Sequence, residues 1–448
     1  MSTMPHASNV RQLFPGATGW ITAVIVTMPV RQLSLANVGG ANVRLGDIVL
    51  AFAVALWLGT ILLRCRVRRR ATGLDRAILL FVLACAVSLL WSQQSDHGWL
   101  RVSKLLRNLA LYGMLVAYLR HDFAAGFRRL ALALVAAGLL QSMAFAYSIG
   151  QHGGAGALSL LAGAESLMSN DSRLAVVKTE NGAGLFLRGA ASWLGLCLFF
   201  GIGVAHMVRS RFRRRLVWIS VVAMAVLTVL TMSRSAWIAL FTGGIATLGC
   251  MRPVNTLKSS ALAVVAALAA WGTGVGGAMT NIFAGRLGRE ALANDPSLTD
   301  RWDYISLALA SFERSPWIGG GAAGIDPNEF ITVHNVYLQV LGELGVLGVL
   351  LFGAVLILWV GALFRVWRRS RALRDDGTRR IVAAMAGITV FFLTYFLAGH
   401  DLESSEPWIV MAVTSALLSV CRKPVPAPRR RPVQAPTMTA AASTMGGR

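Results

Sequence analysis

Residues 285–335 read GRLGREALANDPSLTDRWDYISLALASFERSPWIGGGAAGIDPNEFITVHN, the only long polar interval in an otherwise apolar chain. The interval holds Arg286, Arg289, Asp295, Asp300, Arg301, Trp302 and Asp303, then Ser315-Pro316-Trp317-Ile318-Gly319-Gly320-Gly321, and closes on His334-Asn335. Apolar runs at 259–280 and 336–364 flank it, each long enough to cross a hydrocarbon layer about 30 Å thick. The stretch therefore reads as a large loop between two membrane helices. The whole chain agrees: 55% of its 448 residues are hydrophobic, 14% are charged, and the mean hydropathy is +0.60. That is too apolar for a soluble domain.

Working outward, further apolar runs lie at 16–30, 46–63, 76–91, 102–119, 130–149, 182–208, 216–232, 236–251, 381–399 and 408–420. With the two flanking runs they predict an all-α polytopic membrane protein of about 12 transmembrane helices. The first run resembles a signal-peptide core. It is read as an uncleaved helix, because removing it leaves an odd number of spans. Arginine clusters follow alternate runs, at 64–70, 209–215 and 365–380 among others. Under the positive-inside rule both termini are cytoplasmic, and the large loop faces the periplasm of a bacterial inner membrane. The expected organisation is helices one to nine over 1–280, the periplasmic loop with short helices over 281–335, helices ten to twelve over 336–420, and a disordered cytoplasmic tail over 421–448. The net charge of +23 then orients the protein and does not point to nucleic acid. None of the five cysteines falls in an outer loop, so no disulfide framework is expected. No metal-ligand spacing is present, and no cofactor is expected.

Nucleotide donors are not expected outside the cytoplasm. A transferase on that face needs a donor carried across on a lipid. The outer side gathers Arg101, Lys104, Arg188, Arg234, Arg286, Arg289 and Arg301. Guanidinium groups bind phosphate in bidentate fashion, so the functional reading is a basic pocket for a lipid pyrophosphate. The plainer reading is snorkelling toward lipid headgroups. Arg188 and Glu343 each fall inside a span, about 10 Å below the outer surface, which suits a buried ion pair. His334, beside Asn335 where the loop returns to the membrane, is either a structural histidine or a general base kept neutral by nearby cations. Trp302, Ile305, Leu309 and Phe312 recur at helical spacing, after a Thr299-Asp300 cap and before Pro316. That predicts an amphipathic helix, lying on the membrane surface or lidding the site. Gly319-Gly320-Gly321 is a backbone approach to a ligand or a hinge.

Three stretches carry a family resemblance. They are Met232-Ser233-Arg234-Ser235-Ala236-Trp237, the span from Arg301-Trp302 to Gly321, and His334-Asn335-Val336-Tyr337-Leu338 with Glu343-Leu344-Gly345. In order and placement the chain resembles the O-antigen ligase and O-antigen or exopolysaccharide polymerase family. The resemblance implies a metal-independent membrane glycosyltransferase that moves a glycan from undecaprenyl pyrophosphate to an acceptor sugar, either lipid A–core or a lipid-linked chain. It implies that His334 is the base and that Arg188, Arg234 and Arg301 hold the pyrophosphate and stabilise the charge as it leaves, with Arg301 counted beside His334 as catalytic. Arg286, Arg289 and Lys104 are read from the basic pocket as further pyrophosphate contacts, with Glu343 and Asn335 in support. Trp302 follows Arg301 directly, where much of the family has a longer gap. The ligase type is preferred for the compact outer loop and the lack of an added soluble domain. A twelve-helix transporter or flippase is the alternative of another class. It should place polar residues at the bilayer midplane and show internal repeats, and neither is seen.

Overall fold

A computed structural model describes residues 17–28, 34–38, 41–64, 71–151, 190–230, 233–251, 296–326, 333–372, 376–399 and 401–421. The expected ninth span, the small loop at 150–181 apart from its first two residues, and the tail beyond Cys421 lie outside the described residues.

Helices account for nearly all of the ordered structure. They are α1 (Ala17–Thr27), α2 (Leu45–Arg64), α3 (Gly73–Val87), α4 (Ser95–His121), α5 (Phe123–Gln151), α6 (Ala190–Ala205), α7 (Arg211–Leu230), α8 (Arg234–Met251), α9 (Pro296–Arg314), α10 (Val336–Ala372), α11 (Asp376–Tyr395) and α12 (Glu406–Cys421). One departure from the all-α expectation is a short antiparallel hairpin, β1 (Ser34–Val38) with β2 (Ala41–Arg44), in the linker between α1 and α2. Apart from α9, each helix overlaps one of the apolar runs. Among the described residues, four stretches are long and apolar enough to cross a membrane: Gly73–Leu90, Phe123–Met143, Val336–Arg371 and Asp376–Tyr395. Shorter apolar helices, among them Ala191–Ala205 and Glu406–Cys421, pack between them.

Helix starts follow local chemistry. Thr72 and Asp75 form a capping box at α3. Pro296 opens α9, and Pro407 stands in the first turn of α12 beside Glu406, where the missing N–H costs nothing and a carboxylate suits the helix dipole. Helix α9 thus begins before the Thr299-Asp300 pair expected to cap it.

The bundle has two chemically distinct ends. At the arginine end, the Asp75 carboxylate of α3 accepts from Tyr112 and Arg120 (2.8 Å) of α4 and from Ser415 (2.6 Å) of α12. At the other end, the loop end, lie α9, the segments 315–326 and 333–335, and residues 397–399 and 401–405. Between the ends the core is apolar. Helices α8 and α11 approach so closely that a Cβ on Gly243 would meet the Gly387 carbonyl oxygen at 2.6 Å. Small residues permit that approach, as they do wherever helices must associate without a hydrophobic drive.

Candidate functional site

Helix α10 is not continuous. Gly345 takes φ 60° and ψ −153°, which separates a short helix, 336–344, from a long one, 346–372. A break of this kind frees backbone groups that need partners. The segment after α9 supplies them. Gly320 N–H donates to the Gly342 carbonyl and Gly321 N–H to the Glu343 carbonyl, both at 2.9 Å. In return, Val346 N–H donates to the Pro316 carbonyl (2.8 Å) and Leu347 N–H to that of Trp317 (3.1 Å). Ser311 Oγ of α9 adds a bond to the Gly342 carbonyl at 2.9 Å.

The Pro-Trp-Ile-Gly-Gly-Gly run and the Gly-Glu-Leu-Gly run are therefore two halves of one clasp. Gly319 (φ 67°), Gly321 (φ 86°) and Gly345 all sit in the left-handed region. A Cβ on Gly319 would meet the Glu343 carbonyl oxygen at 2.5 Å, and one on Gly345 the Pro316 oxygen at 2.5 Å. This settles the reading of the triple glycine left open by the sequence. Gly319 N–H donates to Ser315 (2.9 Å), so all three glycine N–H groups are engaged within the protein and do not cradle a ligand.

The break bears on the depth expected for Glu343, which was counted along one continuous helix. Glu343 lies on the loop side of Gly345, and the uninterrupted helix from 346 to the first arginine, Arg365, runs for about 19 residues, or about 28 Å.

His334 stands just before the start of the short helix. The short helix begins immediately after Asn335, whose Oδ1 accepts from Tyr337 N–H (3.0 Å) and Leu338 N–H (3.1 Å). Asn335 Nδ2 donates to the Leu397 carbonyl (3.1 Å), and Val336 N–H to that of Phe396 (2.9 Å). Asn335 is thus the helix cap and the tie to α11, a supporting role by geometry. The His334 imidazole is half-buried, and its ring centre lies 6.1 Å from that of Tyr304 on α9. Arg301 precedes Tyr304 by three residues, which places both on one face of α9. Arg234 opens α8 next to Ser233, whose carbonyl accepts from Trp237 N–H (3.1 Å). Thr242 of the same helix meets Thr394 of α11 at 3.0 Å. That puts position 234 about 12 Å further toward the loop end. Arg188, Arg286 and Arg289 lie outside the described residues.

A second polar cluster ties this region to α4. Arg101, 3% exposed, pairs with Glu343 and, through Nε at 2.5 Å, with Glu403. Lys104 Nζ lies 2.6 Å from the other Glu403 oxygen and is half exposed, so part of its charge is already committed within the protein. Asn108 Nδ2 donates to the carbonyls of Glu403 (2.8 Å) and Ser404 (3.2 Å). Gln339 donates to Glu343 at 3.2 Å. Burial would raise the Glu403 pKa, but the Arg101 and Lys104 cations outweigh it and hold the carboxyl below its ordinary 4.5. Glu343, expected beside Arg188, is thus engaged by Arg101 and Gln339. Glu403, Asn108 and Tyr304 were not singled out from the sequence. The only cue to Glu403 was its place in a turn without Lys or Arg. Below the cluster, a small apolar cavity of about 20 Å³, room for about one water, lies between α3, α10 and α12, lined by Phe81, Phe352, Trp359, Leu402 and Trp408 among others. Among the described residues no group of three or more His, Cys, Asp or Glu side chains could hold a metal ion.

Residues 219–353 match the family model described as O-antigen ligase. The match covers 135 of the 448 residues and supports membership of the O-antigen ligase family. It supports, in general terms, a membrane glycosyltransferase of the ligase and polymerase type. No curated protein gives a significant match. The ligase-family segment runs from Ile219 in α7 to Gly353 in α10. It contains both halves of the clasp together with Arg234, Arg286, Arg289, Arg301, His334, Asn335 and Glu343. Arg101, Lys104, Arg188 and Glu403 fall outside it.

Proposed function

We propose that the protein is an O-antigen ligase. It moves a glycan from undecaprenyl pyrophosphate to a sugar hydroxyl of lipid A–core, on the periplasmic face of a twelve-span inner-membrane bundle, without a metal ion. The reading is supported by one juxtaposition: the His334 ring, next to a helix start, lies 6.1 Å from that of Tyr304 on α9, one turn after position 301. In this scheme the acceptor hydroxyl gives its proton to an imidazole nitrogen of His334. Its oxygen bonds to the anomeric carbon of the donor. The bond from that carbon to the pyrophosphate oxygen breaks, and the electron pair leaves with the pyrophosphate. Guanidinium groups of Arg301, Arg188 and Arg234, with Arg286, Arg289 and Lys104 around them, hold the leaving group and offset its growing charge.

Side-chain cations suit this role because the first N–H groups of the short helix are already spent on Asn335 and Phe396. The compact folding of α9 onto α10 favours a ligase over a chain polymerase. Purified protein is to be assayed with an undecaprenyl-linked donor, EDTA, and either lipid A–core or a lipid-linked glycan as acceptor. Transfer to lipid A–core is expected, and elongation of the lipid-linked glycan alone would make the protein a polymerase. His334→Ala and Arg188→Ala should each abolish transfer while the protein still inserts and accumulates. Full activity in the His334 variant would remove the mechanism.

A further inference from the structure

Helix α9 buries only part of its apolar arc. At about 100° per residue, Tyr304, Ala308 and Ser311 form the face that the protein covers, with Ile305 and Phe312 at its margin. The apolar arc runs on past that margin to Leu309 and Trp302, and Trp302 is 70% exposed. Asp303, Ala310 and Glu313 follow on the polar side, all exposed. An apolar edge left uncovered between a packed face and a charged face is the pattern of a helix lying in a membrane interface.

The turn after α9 continues this edge. Trp317 is 74% exposed, with Ile318 exposed beside it. The clasp pins Trp317 to Leu347, the second residue of the long helix, itself exposed on the outside of the bundle. Ser92 Oγ donates to the Ala322 carbonyl (2.6 Å), and Ala322 N–H donates to Ser88 Oγ (3.0 Å). These bonds hold the turn against the end of the apolar stretch Gly73–Leu90. The edge is therefore continuous with the outward faces of two stretches long enough to cross a membrane. It also lies at the level where the long helix, about 28 Å from its arginine end, leaves the hydrocarbon. Tryptophan is the side chain that favours that level, with an apolar body and one N–H donor.

We propose that α9 and the 316–318 turn are seated in the bilayer itself, at the headgroup–acyl boundary of the leaflet on the loop end, with Trp302, Leu309, Trp317 and Ile318 inserted. This resolves the choice between a surface helix and a lid in favour of the surface. It also puts His334 at the level of the lipid headgroups. The inference stands on the fold alone and does not depend on the glycan-transfer reading.

Spin labels test it. Single cysteines are introduced as Trp302→Cys and Trp317→Cys, with Asp303→Cys and Ala310→Cys on the polar side of α9 and Ile357→Cys on the outer face of α10. The background chain has its five native cysteines replaced by alanine. The protein is reconstituted into vesicles of phosphatidylethanolamine and phosphatidylglycerol. Relaxation by oxygen relative to a water-soluble nickel chelate reports immersion. The ratio at 302 and 317 should exceed that at 303 and 310 several-fold and approach the value at 357. Equal ratios at 302, 303 and 310 would overturn the proposal. Nickel access at 302 that is lost on adding a lipid-linked glycan would also overturn it, and would make the tryptophans a sugar-stacking platform. If the cysteine-free chain does not fold, the native sequence serves. Lipids brominated near the headgroup should quench its fluorescence, and Trp302→Phe with Trp317→Phe should remove much of that quenching. Unchanged quenching in the double variant would refute the insertion.

Discussion

Gly345→Ala isolates the clasp. An alanine at φ 60° and ψ −153° occupies a region open essentially to glycine alone, at about 1–3 kcal/mol of backbone strain. Its Cβ would also meet the Pro316 oxygen at 2.5 Å and the Trp317 carbonyl carbon at 2.6 Å. Relieving those contacts moves the turn away and removes the two bonds from Val346 and Leu347 N–H, each contributing about 0.5–1.5 kcal/mol. The expected loss is about 2–6 kcal/mol. The control is Gly353→Ala, eight residues further along the same helix, where an added Cβ meets nothing within 4 Å. There alanine should be neutral or stabilising by up to about 1 kcal/mol. Thermal unfolding of both variants in the same detergent, followed by tryptophan fluorescence, compares them directly. A melting temperature for Gly345→Ala no lower than that for Gly353→Ala would refute the clasp as the element holding α9 to α10.

Two further outcomes follow from the cluster beside it. Arg101→Ala strands Glu343 as a buried carboxylate without its cation and should cost about 3–5 kcal/mol. Adding Glu343→Gln should restore part of that loss, since the two changes are coupled, and strictly additive melting shifts would dismiss the pairing. The Glu403 carboxyl is held below its ordinary 4.5, so it contributes stability that is complete above that value and is lost as pH falls through the lower folded-state value. The melting-temperature gap between the native chain and Glu403→Gln should be constant at neutral pH and narrow below about 4.5, whereas a gap independent of pH would exclude the ion pairs as its source.

Much of the architecture was legible residue by residue. Long apolar runs and short arginine clusters are local signals, because a span needs only its own length and hydrophobicity to be recognised. The helix 336–372 could be seen this way, and so could a helical stretch around Trp302 to Phe312. His334-Asn335 was legible as the point where the polar stretch gives way to a long apolar helix. The break at Gly345 was not, because Leu344-Gly345-Val346 is as apolar as any unbroken span, and glycine inside a membrane helix is common. What makes it a break is the arrival of Pro316 and Trp317 with carbonyls to receive the freed N–H groups. That depends on residues about 29 positions away.

The partner of Glu343 shows the same division. Depth along an ideal helix suggested Arg188, but depth alone does not say which helix stands alongside. Arg101 and Glu403 come from α4 and from the turn before α12, separated from Glu343 by most of the chain in one direction and by a whole helical hairpin in the other. Composition and periodicity determined a helical membrane protein with one polar loop. Only tertiary packing decided that the loop is buttoned to a broken helix and that the residue after its histidine is tied to the turn following α11. Hydrophobicity is a property of each segment by itself, whereas a backbone hydrogen bond between two segments exists only once both are in place.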